Sequence, residues 1–124
     1  MDCTNKKINL GNEGEIFVTK FLEKNGYKIL ERNWRRAFGE IDIVAMAGDD
    51  TLVFVEVKTM GYWREGIQPE DQMTRAKMEK FKRAAEAYTG VNQKLINDEK
   101  GWRCDVAAVT KIGNDFFLKY YENV

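Results

Sequence analysis

The apolar positions of the chain repeat with two periods, one helical and one of alternating strands. Between residues 10 and 25, Phe17, Val18, Phe21 and Leu22 recur at helical spacing, and Gly26 can end the helix. Residues 27–32 read as a strand and residues 33–38 as a basic, aromatic connection. Two apolar runs then flank Gly48-Asp49-Asp50 within GEIDIVAMAGDDTLVFVEVK (residues 39–58), a turn signal that makes the segment a β-hairpin. Residues 59–68 read as a loop. Pro69 or Thr74 opens a second helix that runs to Tyr88, ahead of Gly90, with a buried stripe of Met73, Ala76, Phe81, Ala84, Ala85 and Tyr88. After a polar segment, residues 102–110 and 116–121 read as two more strands. The order α-β-β-β-α-β-β predicts an α/β fold with one central mixed sheet flanked by helices.

Three ionisable residues, Asp42, Glu56 and Lys58, interrupt the hairpin runs where Ile or Val would stabilise a sheet. Side chains alternate faces along a strand, so Leu52, Phe54, Glu56 and Lys58 share one face, and Asp42 shares a face with Glu40, Val44 and Met46. A three-residue loop centred on Asp49 sets Asp42 directly across from Glu56, with Cβ atoms ~4.5–5.5 Å apart; a loop of two or four residues would shift that register. Two carboxylates so close repel, and one is driven toward its protonated form unless a cation intervenes. A hard divalent ion such as Mg²⁺ is the usual solution, and Lys58 would stand beside it to orient a water or stabilise developing negative charge. The competing reading is a cross-strand salt-bridge cluster on a solvated face. Bulky Val44 and Phe54 on that same face weigh against it. On the first helix, Glu15 projects near Leu22 at the border of the apolar stripe, and Glu13 points to solvent. Gly11 and Gly14 would let another backbone approach closely there.

Composition narrows the chemistry. The 124 residues suit a single domain (1–124), with residues 1–9 expected to form a flexible tail. No apolar run approaches the ~20 residues of a membrane span, and the N-terminus lacks the apolar core of a secretory signal, so no membrane partner is expected. Two cysteines, Cys3 and Cys104, make no CxxC pair and fit a reduced, cytoplasmic compartment; Cys104 is expected in the core and Cys3 in the tail. The absence of histidine excludes Ser-His-Asp and Cys-His nucleophile chemistry and a histidine-bound zinc. Catalysis would have to rest on carboxylates, Lys, Arg, Tyr or Cys, with any metal held through oxygen. The net charge is zero, yet Arg32, Arg35 and Arg36 cluster, as do Arg75, Lys77, Lys80, Lys82 and Arg83.

Four blocks in order, G-N-E-G-E, E-R-N-W-R, G-E-I-D-I-V-A and F-V-E-V-K-T, resemble the YraN family of small bacterial proteins. The resemblance spans residues 11 to about 109 and implies a restriction-endonuclease-like core of the PD-(D/E)XK nuclease-like superfamily, similar to archaeal Holliday-junction resolvases. It implies that Asp42, Glu56 and Lys58 are the catalytic residues and that Glu15 joins Asp42 and Glu56 in holding Mg²⁺ or Mn²⁺, with the Val57 carbonyl as a further ligand. Arg75 stands where the family usually has proline, and Met60 where an arginine usually follows V-K-T.

The implied activity is metal-dependent hydrolysis of phosphodiester bonds in DNA, with branched or junction DNA as a candidate substrate and a homodimer as a candidate assembly. The alternative is a non-catalytic nucleic-acid-binding or assembly module on the same fold. Trp34, Arg35 and Arg36 precede the hairpin, and Tyr62, Trp63 and Arg64 follow it, so phosphate contacts and stacking faces are expected from Arg35, Arg36, Trp63 and Arg64. Trp34 fits a core anchor equally well. The second helix's basic residues fit a solvated face or a DNA-facing one, and Lys77 is the candidate contact among them. Asp105 is expected to pair with a base or cap a turn, outside the chemistry.

Overall fold

The computed structural model describes residues 10–61 and 66–124. The expected tail, Cys3, and the loop residues Tyr62, Trp63 and Arg64 lie outside the described residues. Helix α1 (Leu10–Lys24) leads into strands β1 (Lys28–Arg36), β2 (Gly39–Met46) and β3 (Leu52–Met60). A 3-10 turn at Pro69–Gln72 precedes helix α2 (Arg75–Val91), and strands β4 (Trp102–Ile112) and β5 (Asp115–Tyr121) follow. The strands form one sheet in sequence order. Neighbours are antiparallel except β3 and β4, which run parallel because α2 carries the chain back between them. Among the described residues this is the predicted element order, an α/β fold with a five-stranded mixed sheet and two α-helices.

The hairpin register follows from its turn. Gly48, Asp49 and Asp50 bridge β2 and β3: the Ala47 N–H donates to the Thr51 carbonyl (2.9 Å) and the Asp50 N–H to the Ala47 carbonyl (2.9 Å). Asp50 takes the left-handed conformation (φ 73°), and the Asp49 carboxylate accepts from the Thr51 N–H at 3.0 Å. Pairing then runs Met46 with Leu52, Val44 with Phe54 and Ile43 with Val55, the register expected of a three-residue loop.

Alternation along β2 and β3 feeds two cores. On one sheet face Val18 and Leu22 of α1 pack on Ile43, Val53, Val55 and Val109. On the other, Phe81, Ala84, Ala85 and Tyr88 of α2 pack on Val44, Leu52, Phe54 and Cys104. Each fully buried Val, Leu, Ile or Phe among them contributes roughly 1.5–3 kcal/mol.

Four sequence expectations need correction. The connection expected at 33–38 is strand as far as Arg36, leaving Ala37 and Phe38 as the turn. Its polar residues face outward while Trp34, 5% exposed, packs edge-on against Tyr88 at 5.4 Å. Helix α2 continues through Gly90 to Val91, and Ala76 is exposed while Met78 packs against the core in its place. Glu13 does not simply face solvent: it takes an ion pair from Lys111 at 2.7 Å. Asp105 is fully buried, accepting from the Arg103 Nε (3.1 Å), the Tyr120 hydroxyl (2.6 Å) and the Asn123 N–H (2.9 Å), as a paired structural carboxylate.

Helix α1 comes close to β3 because Gly14 has no side chain. A Cβ built there would lie 2.0 Å from Thr59 Oγ1 and 3.0 Å from Thr59 Cβ. Gly14→Ala is therefore expected to lower stability by about 1–3 kcal/mol, the ordinary cost of overpacking. Thr59→Ala should recover much of that loss, since Thr59 Oγ1 is buried and has no hydrogen-bond partner to forfeit. Denaturant titration of the single and double variants measures both effects; additive losses would contradict the contact.

Candidate active site

The β2–β3 ladder ends at Ile43 and Val55, while both strands continue. The Leu52 N–H donates to the Gly101 carbonyl on the β4 side (3.1 Å), so the main-chain groups of Val53, Val55 and Val57 face β2. Past the ladder's end the Val57 N–H donates to Asp42 Oδ2 at 2.8 Å, a side chain doing the work of a strand carbonyl. The Val57 carbonyl points toward the same gap.

Glu56 and Lys58 extend the α2 face of β3 beyond Phe54, and Lys58 Nζ lies 3.4 Å from Glu56 Oε2. Burial is the main reason the Glu56 carboxyl is pushed up to about 8; the adjacent Asp42 charge and a hydrogen bond shared with Asp42 act in the same direction, and Lys58 only partly opposes them. Glu15 approaches from the α1 side. Its carboxyl is also raised, first by burial and then by Asp42, with Arg32 opposing. Arg32 Nη2 is 3.5 Å from Glu15 Oε1, an ion pair too long for a good hydrogen bond, and that oxygen is buried without a hydrogen-bond partner. Asp42 is thus the acid that both glutamates sense, one from each side of the sheet.

Glu56 and Lys58 open into a cleft of about 310 Å³ whose other charged walls are Arg36, Glu40, Lys77 and Lys80. Gly39 forms part of its floor, where an added Cβ would sit 3.1 Å from Ala84 of α2. Of the candidate nucleic-acid contacts, Arg36 and Lys77 line this cleft. Arg35 does not; it is exposed and stands 3.9 Å from Glu40. Trp63 and Arg64 lie outside the described residues. Sequence reasoning did not single out Arg32 as the partner of Glu15 or Lys80 as a cleft residue. Arg32 had a signal in the E-R-N-W-R block, whereas Lys80 had only its place one helical turn beyond Lys77.

The acids that could serve a hard cation are Asp42 and Glu56, with Glu15 behind them and the Val57 carbonyl beside them. Among the described residues no group of three or more Asp, Glu or Cys side chains is arranged to hold a metal ion. Asp42 is engaged by Val57, Glu56 by Lys58 and Glu15 by Arg32.

Residues 14–109, which contain all of these groups, match the model of the family described as Uncharacterised protein family UPF0102. The chain belongs to that family. It is 39% identical to a UPF0102 protein of Roseiflexus castenholzii over 110 residues, covering 86% of this chain and 83% of the relative. It is 36% identical to one of Flavobacterium johnsoniae over 111 residues (90% and 89% of the two chains) and 35% identical to one of Alkaliphilus oremlandii over 119 residues (96% and 97%). The site therefore lies within the segment that defines UPF0102 membership. No helix among the described residues is long and apolar enough to cross a membrane.

The raised Glu56 carboxyl has a stability consequence. Unfolded, this group ionises near 4.5; folded, it holds its proton up to about 8. Between those values the folded state binds more protons, so the stability of the metal-free protein falls as pH rises through that window, by up to about 1.4 kcal/mol per unit. Glu56→Gln, which cannot ionise, is expected to flatten that slope and to be the more stable protein at pH 8. Thermal unfolding across the window checks it, and parallel profiles for the two proteins would contradict it.

Proposed function

We propose that this protein hydrolyses nucleic-acid phosphodiester bonds, with DNA as the substrate and Mg²⁺ or Mn²⁺ as cofactor. The observation that carries the reading is the junction of two features. Asp42 and Glu56 meet where the ladder ends, and Glu56 with Lys58 opens into a cleft walled by Arg36, Lys77 and Lys80. Glu56 and Glu15 each have a cationic neighbour, Lys58 and Arg32. Yet burial and the nearby Asp42 charge raise both carboxyls further than those cations lower them, an imbalance that a salt-bridge cluster serving stability alone would not keep. The donor set suits a hard divalent ion, because Mg²⁺ is commonly held by one or two carboxylates and keeps several waters. Asp42 and Glu56 would hold it, with the Val57 carbonyl and Glu15 contributing from either side. When bound, such an ion polarises a phosphoryl oxygen and lowers the pKa of a coordinated water.

The chain's own residues have separate tasks in this reading. Arg36, Lys77 and Lys80 hold the flanking phosphates, which fixes the strand across the cleft without reading sequence. Lys58 donates to a non-bridging oxygen of the scissile phosphate as negative charge builds there. A water oxygen attacks phosphorus and gives up a proton to solvent, one P–O ester bond breaks, and the departing oxygen takes a proton from solvent. The element order and the placement of the acids on adjacent strands agree with a restriction-endonuclease-like core. Fold likeness alone would not carry an activity, so the weight rests on the site. A net charge of zero, with cations gathered around one cleft, suits selective recognition, for instance of branched DNA, over avid non-specific binding.

A second reading is a binding or assembly module without turnover. It is favoured by the engagement of each acid with a protein partner, with no group of three or more acids arranged as a metal site among the described residues. Labelled single-stranded, duplex, flap and four-way-junction DNA, incubated with Mg²⁺, Mn²⁺ or EDTA, decides between the two. The hydrolase reading expects metal-dependent cutting that falls by at least about 100-fold in Asp42→Asn, Glu56→Gln and Lys58→Ala, the scale of losing an electrostatic catalytic group. Full activity in all three variants would reject the site. Salt-sensitive binding of DNA with no cutting by the unaltered protein would favour the module.

A further inference from the structure

Beside the cleft lies a second groove that the proposed chemistry does not use. It has a volume of about 610 Å³ and is lined by Phe38, Lys80, Arg83, Glu86 and Ala87. Lys80 lines both spaces, so groove and cleft share a wall. Phe38 stands at the tip of the β1–β2 turn and is 53% exposed. Its ring is nevertheless held in place, meeting Trp34 edge-on at a centroid distance of 6.3 Å and 66° between planes. Trp34 is fixed in turn by Tyr88 at 5.4 Å and by the Arg36 guanidinium, 4.5 Å from its ring centroid.

An exposed, pre-positioned aromatic face beside two cations is the chemistry of a stacking platform for single-stranded nucleic acid. We infer that this groove binds an unpaired nucleotide next to the cleft, its base stacked on Phe38 and its phosphate paired with Lys80 and Arg83. A base inside a duplex has both faces covered by its neighbours, so only an unpaired one can use the platform. Glu86 sits among the same residues, and its carboxylate offsets one of the two cations, so stacking has to supply a substantial share of the affinity. The inference rests on reading the cleft as a nucleic-acid site and assigns its strand preference: substrates with an unpaired nucleotide flanking the cut.

The test is fluorescence anisotropy with a fluorescein-labelled single-stranded oligonucleotide and a blunt duplex of the same sequence, both in EDTA so that nothing turns over. The unaltered protein should bind the single strand more tightly. Phe38→Ala should weaken single-strand binding by about tenfold, within the range for losing one base–aromatic stack, while changing duplex binding less than about twofold. Phe38→Trp should retain or tighten it. Arg83→Ala should weaken single-strand binding and reduce its salt dependence by roughly one phosphate contact. Equal losses on both ligands for Phe38→Ala, no loss on either, or no single-strand binding by the unaltered protein would each overturn the inference. Because binding is read without turnover, the two proposals fail separately. Metal-dependent cutting with unchanged Phe38→Ala binding removes only the platform, and a selective binding loss without cutting removes only the hydrolase.

Discussion

The site depends on one hydrogen bond, from the Val57 N–H to the Asp42 carboxylate at 2.8 Å. A main-chain donor at the edge of a packed core must be satisfied, and a ladder that continued would supply a carbonyl. Here the ladder stops at Ile43 and Val55, and an acid is used instead. That substitution anchors Asp42 to β3, beside Glu56. It also leaves the Val57 carbonyl, on the same edge of β3, free of the ladder. Both helices then close on this point through glycines: Gly14 lets α1 reach Thr59 of β3, and Gly39 lets the start of β2 press against Ala84 of α2. A side chain at Gly14 would force α1 or Thr59 to move, and one at Gly39 would crowd Ala84.

Grouping the acids in this way works against folding. Glu56 is desolvated more than its Lys58 partner repays, and Glu15 has a buried oxygen without a hydrogen bond despite Arg32 nearby. Asp105 shows what a carboxylate kept for structure looks like in the same sheet. It is completely buried, yet a guanidinium, a hydroxyl and a main-chain N–H all donate to it. The contrast separates the two kinds of buried acid in this protein. One is fully satisfied by the fold; Glu56 and Glu15 have cationic neighbours that only partly offset their burial, and perturbed acids of this kind are common at functional sites.

The same contrast explains what the sequence could reveal. The Gly48-Asp49-Asp50 turn gives the register expected of a three-residue loop, and alternation puts Glu56 and Lys58 on one face, so the nearness of Asp42 to Glu56 could be expected on that condition; the end of the ladder at Ile43 and Val55 could not. Nor could the extension of β1 through Arg36, because Asn33, Trp34, Arg35 and Arg36 have the composition of a loop, and pairing with β2 together with the burial of Trp34 under α2 makes the segment strand. Ala76 and Met78 exchanged roles for a related reason: a helical wheel gives a face but not where along the helix the sheet ends. The Glu13–Lys111 and Glu15–Arg32 pairs join residues brought together only when α1 docks, and no local pattern encodes them. Lys80 reaches the cleft by the same long-range route, through the contact of α2 with Gly39.

A run of aromatic contacts connects these parts. Phe54 lies two positions before Glu56 on the same sheet face and packs edge-on against Tyr88 at 5.5 Å; Tyr88 meets Trp34 at 5.4 Å, and Trp34 meets Phe38 at 6.3 Å. The column runs from the strand that carries the acid, across α2, to the turn that borders the basic groove. Edge-to-face pairs resist rotation because each ring's positive edge sits against its neighbour's negative face. Phe38 is thereby connected to the strand that carries Glu56 through three ring contacts. A strand-positioning surface would need such support, since catalysis tolerates misplacement of a reacting group by only a fraction of an ångström. The aromatic core that stabilises the α2 side of the sheet thus also connects the place where a base could stack with the place where the backbone could be cut.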